Sequence, residues 1–194
     1  MRKMNSFDKF VLENEVEIQQ EVAKFTPMFQ AILKEHGIQR LIETAYNYIY
    51  QIDTGLKVAE QTTCGIGCAH CCYTDITISE NEASLIHSYV VQFNVEVNKE
   101  VLKKQQSKKF YKLKYADKRC AMLGKDNTCN IYEIRPSICR LWNSISEPIK
   151  CYDKHKPINT RTIRVIQAWA VSFALHEMDR LKGVEKPIFL HEII

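Results

Sequence analysis

Four of the chain's eight cysteines fall within nine residues, Cys64-Gly-Ile-Gly-Cys68-Ala-His-Cys71-Cys72, and Cys120, Cys129, Cys139 and Cys151 follow at wider intervals. Thiolates are the ligands of zinc, Cu(I) and iron–sulfur clusters, whereas calcium and magnesium prefer oxygen. The small residues between the first four sulfurs let the backbone turn them inward, with Gly65 and Gly67 free to take conformations other residues resist. Consecutive side chains diverge in extended backbone, so Cys71 and Cys72 are expected to enter separate sites or to share a polynuclear cluster. Eight sulfurs fill two four-coordinate sites. The competing readings are a disulfide framework and a set of reduced thiols buried as small hydrophobes; the crowding of four thiols in one loop favours metal over both.

Other groups stand beside this set. His70 lies inside the first run and His155 follows Cys151, and imidazole is an alternative zinc ligand. His36 reads as a residue complementing a helix end, while His87, His176 and His191 carry no signal. Arg135 and Arg140 flank Pro136 and Cys139. Their guanidinium groups either screen a thiolate-rich centre, fork onto carbonyls and carboxylates, or form plain surface ion pairs.

The elements that must position these groups read as helices. Phe7, Phe10, Val11, Val16 and Val22 form an apolar stripe. Thr26-Pro27 predicts a helix restart with Thr as cap and Pro in the first turn, and Gly37 a stop. A further helix runs through Leu41, Ile42, Ala45, Tyr46, Ile49 and Ile52. Ser79-Glu-Asn-Glu82 forms a capping box ahead of an apolar run. A solvated helix is expected over 95–114, a small β-hairpin over 119–132 around the turn Gly124–Asn127, and a last helix over 160–182. The basic run 103–109 reads as a wet helix face rather than a nucleic-acid contact. The expected fold is mainly α: a helical single domain with an irregular cysteine-rich metal centre. Its segments are a helical 1–60, a metal-binding 61–155 and a C-terminal helix in 156–194, packed together.

At 194 residues and 22.6 kDa the chain suits one domain. It exceeds the size at which small scaffolds need staples merely to fold. A formal charge of +4 names no partner, and thiolates around two divalent ions would remove about four positive charges. No apolar run reaches the length of a membrane span, and the N-terminus lacks a signal-peptide pattern. The expected compartment is therefore the cytoplasm, where clustered thiols bind metal more often than they pair.

The CxxCxxCC-like run, together with Cys120-x8-Cys129-Asn-Ile-Tyr-Glu-Ile-Arg-Pro-Ser-Ile-Cys139-Arg140, resembles the YkgJ-type cysteine cluster family of zinc- or iron-chelating domains. The resemblance spans about residues 62–152. It implies a metal-chelating protein with Cys64, Cys68, Cys71, Cys72, Cys120, Cys129, Cys139 and Cys151 as the ligand set and zinc or iron, including a 4Fe–4S cluster, as the cofactor. The first spacing here holds three intervening residues, where many members have two.

Three functional classes follow. The first is a metal-binding protein using zinc or iron structurally, for storage or for sensing. The second is an iron–sulfur enzyme using S-adenosylmethionine: Cys64-x3-Cys68-x2-Cys71 has the spacing that holds three corners of a four-iron cluster. Cysteine-cluster sequences also resemble part of flagellin lysine N-methylases, which carries a protein-methylating version of this reading. The third is an adaptor whose metal centre holds shape while the helical segment docks a protein partner.

Overall fold

The structure, a computed structural model, describes residues 6–65, 67–151 and 161–193. Two helices open the chain, α1 (Ser6–Glu13) and the long α2 (Glu15–Gly55). The latter is not a rod. Gly37 sits at φ 80°, ψ −179°, a conformation essentially reserved for glycine, and there α2 folds back on itself. In a straight helix Met28 and Tyr48 would lie about 30 Å apart at 1.5 Å per residue. Instead the Tyr48 hydroxyl reaches the Met28 sulfur at 3.6 Å, and the Phe25 and Tyr48 rings meet at 5.4 Å. The expected stop at Gly37 is thus the turn of a helical hairpin.

The restart expected at Thr26-Pro27 does not occur, because α2 runs through Pro27. The Thr26 hydroxyl bonds back to the Val22 carbonyl at 2.8 Å rather than capping a new helix. An interior proline costs about 3 kcal/mol. Burial of Val22, Thr26 and Phe29 on one face opposes that cost and keeps the arm continuous.

Next come α3 (Val58–Gln61), the cysteine loop, strand β1 (Thr77–Ile78) and helix α4 (Glu80–Gln92). The capping box at Ser79 and Glu82 forms as expected. Helix α5 (Lys99–Ser107) is shorter than the 95–114 predicted. Asn98 starts it by accepting from the Val101 amide at 3.1 Å, and beyond Ser107 the chain breaks into single 3-10 turns at Phe110–Lys112 and Tyr115–Lys118. After Val101, Leu102 and Gln105 the sequence offers α5 no further buried face. The hairpin expected over 119–132 reduces to one antiparallel bridge, Leu123 to Cys129.

Helix α6 (Ser137–Leu141), strands β2 (Asn143–Ser144) and β3 (Thr162–Ile163), helix α7 (Ile166–Leu181) and strand β4 (Ile188–Phe189) complete the order. The last helix starts at Ile166, later than the expected 160, and Ile163 belongs to β3. Both sheets are antiparallel strand pairs, β1 with β4 and β2 with β3. The fold is mainly α, as expected. Among the described residues no helix is long and apolar enough to cross a membrane.

Two apolar cores divide the molecule. The larger joins both arms of α2 to α7 through Phe29, Leu41, Ile42, Ala45, Ile49, Ala174 and Leu175. Ala170 and Ala174, one turn apart and fully buried, give α7 a slim face in the larger core it shares with the hairpin. The smaller core gathers Ile78, Ile86, Met122, Ile131 and Leu190, with Cys120 and Cys129 packed against it. Asp179 of α7 joins the two by accepting from the Glu80 amide at 2.7 Å, at the open N-terminus of α4.

Candidate metal centre

The early cysteines sit on an irregular loop that later segments pin down. Thr62 Oγ1 and the Thr63 amide both donate to the Ser144 carbonyl at 2.8 Å, clamping the loop to β2. Gly67, at φ 81°, turns the chain between Cys64 and Cys68, and the Cys68 amide closes that turn on the Gly65 carbonyl at 3.0 Å. Cys71 and Cys72 lie in a single 3-10 turn, His70–Tyr73. Tyr73 stacks on Tyr115 at 4.6 Å, nearly parallel, which fastens that turn to the 115–118 turn. The Cys120 amide then donates to the Cys72 carbonyl at 2.6 Å, bringing the two halves of the cysteine set together.

The loop carrying Cys120 and Cys129 is closed by Arg119, whose guanidinium donates to the carbonyls of Leu123 at 2.8 Å and Gly124 at 2.6 Å and to Asn127 Oδ1 at 3.2 Å. Gly124 has no room for a side chain, since an added Cβ would lie 2.9 Å from Asn130 Oδ1. Cys139 rides on α6. That helix is anchored by Glu82, a carboxylate only 1% exposed. Glu82 Oε1 accepts from the Ser137 amide at 2.7 Å and the Tyr46 hydroxyl at 3.2 Å. Its Oε2 accepts from the amide and hydroxyl of Ser79, both at 3.0 Å. One carboxylate thus ties α2, the start of α4 and the Cys139 helix to a single point.

All eight cysteines are free thiols, ranging from exposed Cys64 to buried Cys151. Cys139, Cys120, Cys129 and Cys71 are mutual electrostatic neighbours. Burial pushes the Cys139 thiol well above its ordinary range and that of Cys120 up to about 11. Cys71 is raised first by its hydrogen bond to the Cys72 thiol and then by burial. The divergence expected of neighbouring side chains assumed extended backbone; in the 3-10 turn the two thiols meet. A second set surrounds Ser144, whose amide donates to Cys64 Sγ at 3.4 Å and whose hydroxyl accepts from Cys151 Sγ at 3.6 Å. Cys68 neighbours Cys64, Cys71 and Cys151, and burial raises its thiol.

Among the described residues, no three His, Cys, Asp or Glu side chains stand in a ready coordination cage. The donor set nevertheless fits a thiophilic ion or cluster. Backbone amides of His70, Met122 and Ile131 point at the sulfurs of Cys68, Cys120 and Cys129, and the Ser144 amide at that of Cys64. Amide donors to sulfur favour the charged ligand form and tune a metal site.

Arg135 supplies positive charge, lowering the proton affinity of Cys71, Cys129 and Cys139. Its ring neighbour is Tyr132 at 4.1 Å, and its buried Nε has no hydrogen-bond partner. Arg140 instead forks onto the carbonyls of Arg135 at 3.1 Å and Glu133 at 2.5 Å and lies over the Tyr46 ring at 4.0 Å. Arg135 thus sits where it screens the thiols, and Arg140 makes the carbonyl fork while also adding positive charge beside Cys129. His70 lies beside the cysteines in the 3-10 turn, half-buried; His155 lies outside the described residues.

Two contributors were invisible in the sequence. Glu82 is signalled as a capping residue, but its partners Tyr46 and Ser137 lie 36 and 55 positions away. Ser144, which touches two of the thiols, carries no sequence signal at all.

A helical scaffold holding a folded loop of free thiols defines a cysteine-rich metal-chelating module. The model of the CxxCxxCC family, described as "putative zinc- or iron-chelating domain", matches residues 63–165, just over half of the chain, and the chain belongs to that family. No curated protein and no solved structure matches it.

Proposed function

We propose that this protein chelates zinc or iron through thiolates of Cys64, Cys68, Cys71, Cys72, Cys120, Cys129, Cys139 and Cys151, and that the metal fixes the fold of the irregular 62–151 segment. The observation that carries this reading is the meeting of the two cysteine sets, through the 2.6 Å bond between the Cys120 amide and the Cys72 carbonyl. Without an ion, the segment is held by short turns and side-chain bonds rather than by an extensive core. Bound thiolates would replace the neutral thiols, while Arg135 and the amides aimed at sulfur would offset their charge. Anaerobic purification followed by metal and acid-labile sulfide analysis tests the proposal. Stoichiometric zinc, or iron with or without sulfide, is the expected result; a folded native protein containing neither metal would overturn it.

The S-adenosylmethionine reading gains no support from the architecture. Those enzymes place their three-cysteine motif after a strand, in a chain of alternating strands and helices. Here α3 precedes the motif and the strands are isolated two-residue pairs.

A further inference from the structure

We infer that the unit formed by residues 99–119 is a docking surface for single-stranded nucleic acid, holding phosphates on its lysines and a base on Tyr111 without reading sequence. Metal chelation neither requires this surface nor explains it.

The small charge of the whole chain conceals how strongly charge is concentrated here. Residues 99–119 hold nine basic and two acidic side chains, net +7, against +4 for all 194 residues, so the other 173 are net −3. A plain solvated helix, expected over 103–109, accounts for only part of this. Lys99 and Lys103, one turn apart on α5, stand opposite the buried face of Val101, Leu102 and Gln105. After Ser107 the chain leaves the helix, with Lys108 extended at φ −146°, ψ 152°. It returns alongside α5, where Gln105 Nε2 donates to the carbonyls of Asp117 at 3.0 Å and Arg119 at 2.8 Å. Buried Leu113, the Phe110 ring against His191 and the Tyr73–Tyr115 stack fix that return path. Lys108, Lys109, Lys112 and Lys114 are exposed along it. Lys104 is neutralised by Asp117 at 2.7 Å. Among the described residues, the ammonium groups of Lys99, Lys103, Lys108, Lys109 and Lys114 make no ion pair. Those of Lys112 and Lys118 lie over the rings of Tyr111 at 6.0 Å and Phe110 at 5.7 Å.

A run of unpaired ammonium groups fits a partner with repeated negative charge. Lysine is a point charge that meets a phosphate from any direction, while the one arginine of the unit, Arg119, already forks onto its own loop. Such contacts hold a phosphate backbone and carry no sequence information. Tyr111 decides which polyanion fits. Its ring is 70% exposed, whereas Val101, Leu102 and Leu113 are buried and Phe110 and Tyr115 are engaged with other rings. A lipid surface calls for an apolar face to bury in it, and the unit offers none. An acidic peptide would leave the ring unused. An exposed ring among lysines is the combination that holds a single strand, with a base stacked on the ring and phosphates on the cations. The net negative remainder of the chain repels the strand elsewhere and steers it to this unit.

The test uses the natively purified full chain and fluorescently labelled strands of about 16 nucleotides, RNA and DNA in separate arms, read by anisotropy. Binding in either arm is the expected result, and the tighter arm names the strand. Contacts to about four phosphates should weaken binding about 50-fold between about 50 and 200 mM salt. Lys108→Gln combined with Lys109→Gln should cut that loss to about sevenfold. Tyr111→Ala should weaken binding about 5- to 150-fold at fixed salt and leave the salt dependence as it was. All three positions are exposed, so far-ultraviolet circular dichroism should not change. No binding in either arm would overturn the surface, as would wild-type affinity in Tyr111→Ala. So would tighter binding to a duplex, to polyglutamate or to phosphatidylserine vesicles than to either strand. Each of these results leaves metal chelation standing.

Discussion

The two halves of this molecule are held by different physics. The α2 hairpin and α7 share a dry apolar core in which Phe29, Leu41, Ile42, Ala45, Ala174 and Leu175 are fully buried. The cysteine segment packs on a smaller apolar core, and much of its shape comes from hydrogen bonds that cross long stretches of sequence, centred on Glu82 and Ser144, with Arg119 closing its own loop locally. A core of the first kind folds on its own apolar burial. A segment of the second kind would be fastened further by an ion that joins its sulfurs, as the proposed function has it. On the proposed function, the helical half is a scaffold that stands with or without metal, and the cysteine half is conditional on it.

Removal of the metal should produce the largest effect. Structural zinc contributes on the order of 10 kcal/mol in small peptides, so chelation is expected to abolish the near-ultraviolet circular dichroism of Tyr73, Tyr115 and Trp142 while far-ultraviolet helicity largely survives. Loss of both signals together would break the contrast between the halves. Next comes Phe29→Ala, which opens a cavity in the helical core and should cost about 3–5 kcal/mol. Thermal denaturation followed by helicity measures it, and metal content per folded molecule should not change. Glu82→Gln bears on the link between the halves. It removes a buried charged acceptor from Ser137, Tyr46 and Ser79. The expected loss is about 1–3 kcal/mol of stability, together with a roughly 10- to 100-fold weaker hold on the ion. Competition with a chelator of known affinity reads the second effect, and an unchanged affinity would deny Glu82 its positioning role. Gly37→Ala should have the smallest effect, about 1–3 kcal/mol from backbone strain alone, since an added Cβ meets nothing within 4 Å. Its effect should appear in thermal stability and not in metal affinity.

The halves also differ in how far the sequence discloses them. Apolar periodicity marks the helices, and Ser79-x-x-Glu82 marks the start of α4, because these signals are local. Thr26-Pro27 misleads for the same reason: the local rule predicts a start, but burial of Val22 and Phe29 carries the helix through. Gly37 reads as a stop, while its reversal of the chain shows only in the contacts of Phe25 and Met28 with Tyr48. The lysine-rich stretch after Ser107 lacks the apolar face a helix needs, so α5 ends early. In the cysteine half, the candidate ligands are legible from residue type and spacing. How the fold brings those segments together is not, because it depends on Ser144 and Glu82 meeting partners dozens of residues away, and no short-range pattern encodes such meetings.

X-ray absorption at the zinc and iron edges of the natively purified, anaerobic protein tests the central claim most directly. The account predicts an edge for one of the two metals with a first shell dominated by sulfur, at about 2.3 Å for zinc. A first shell made of nitrogen and oxygen, or a folded protein showing no edge for either metal, would contradict it.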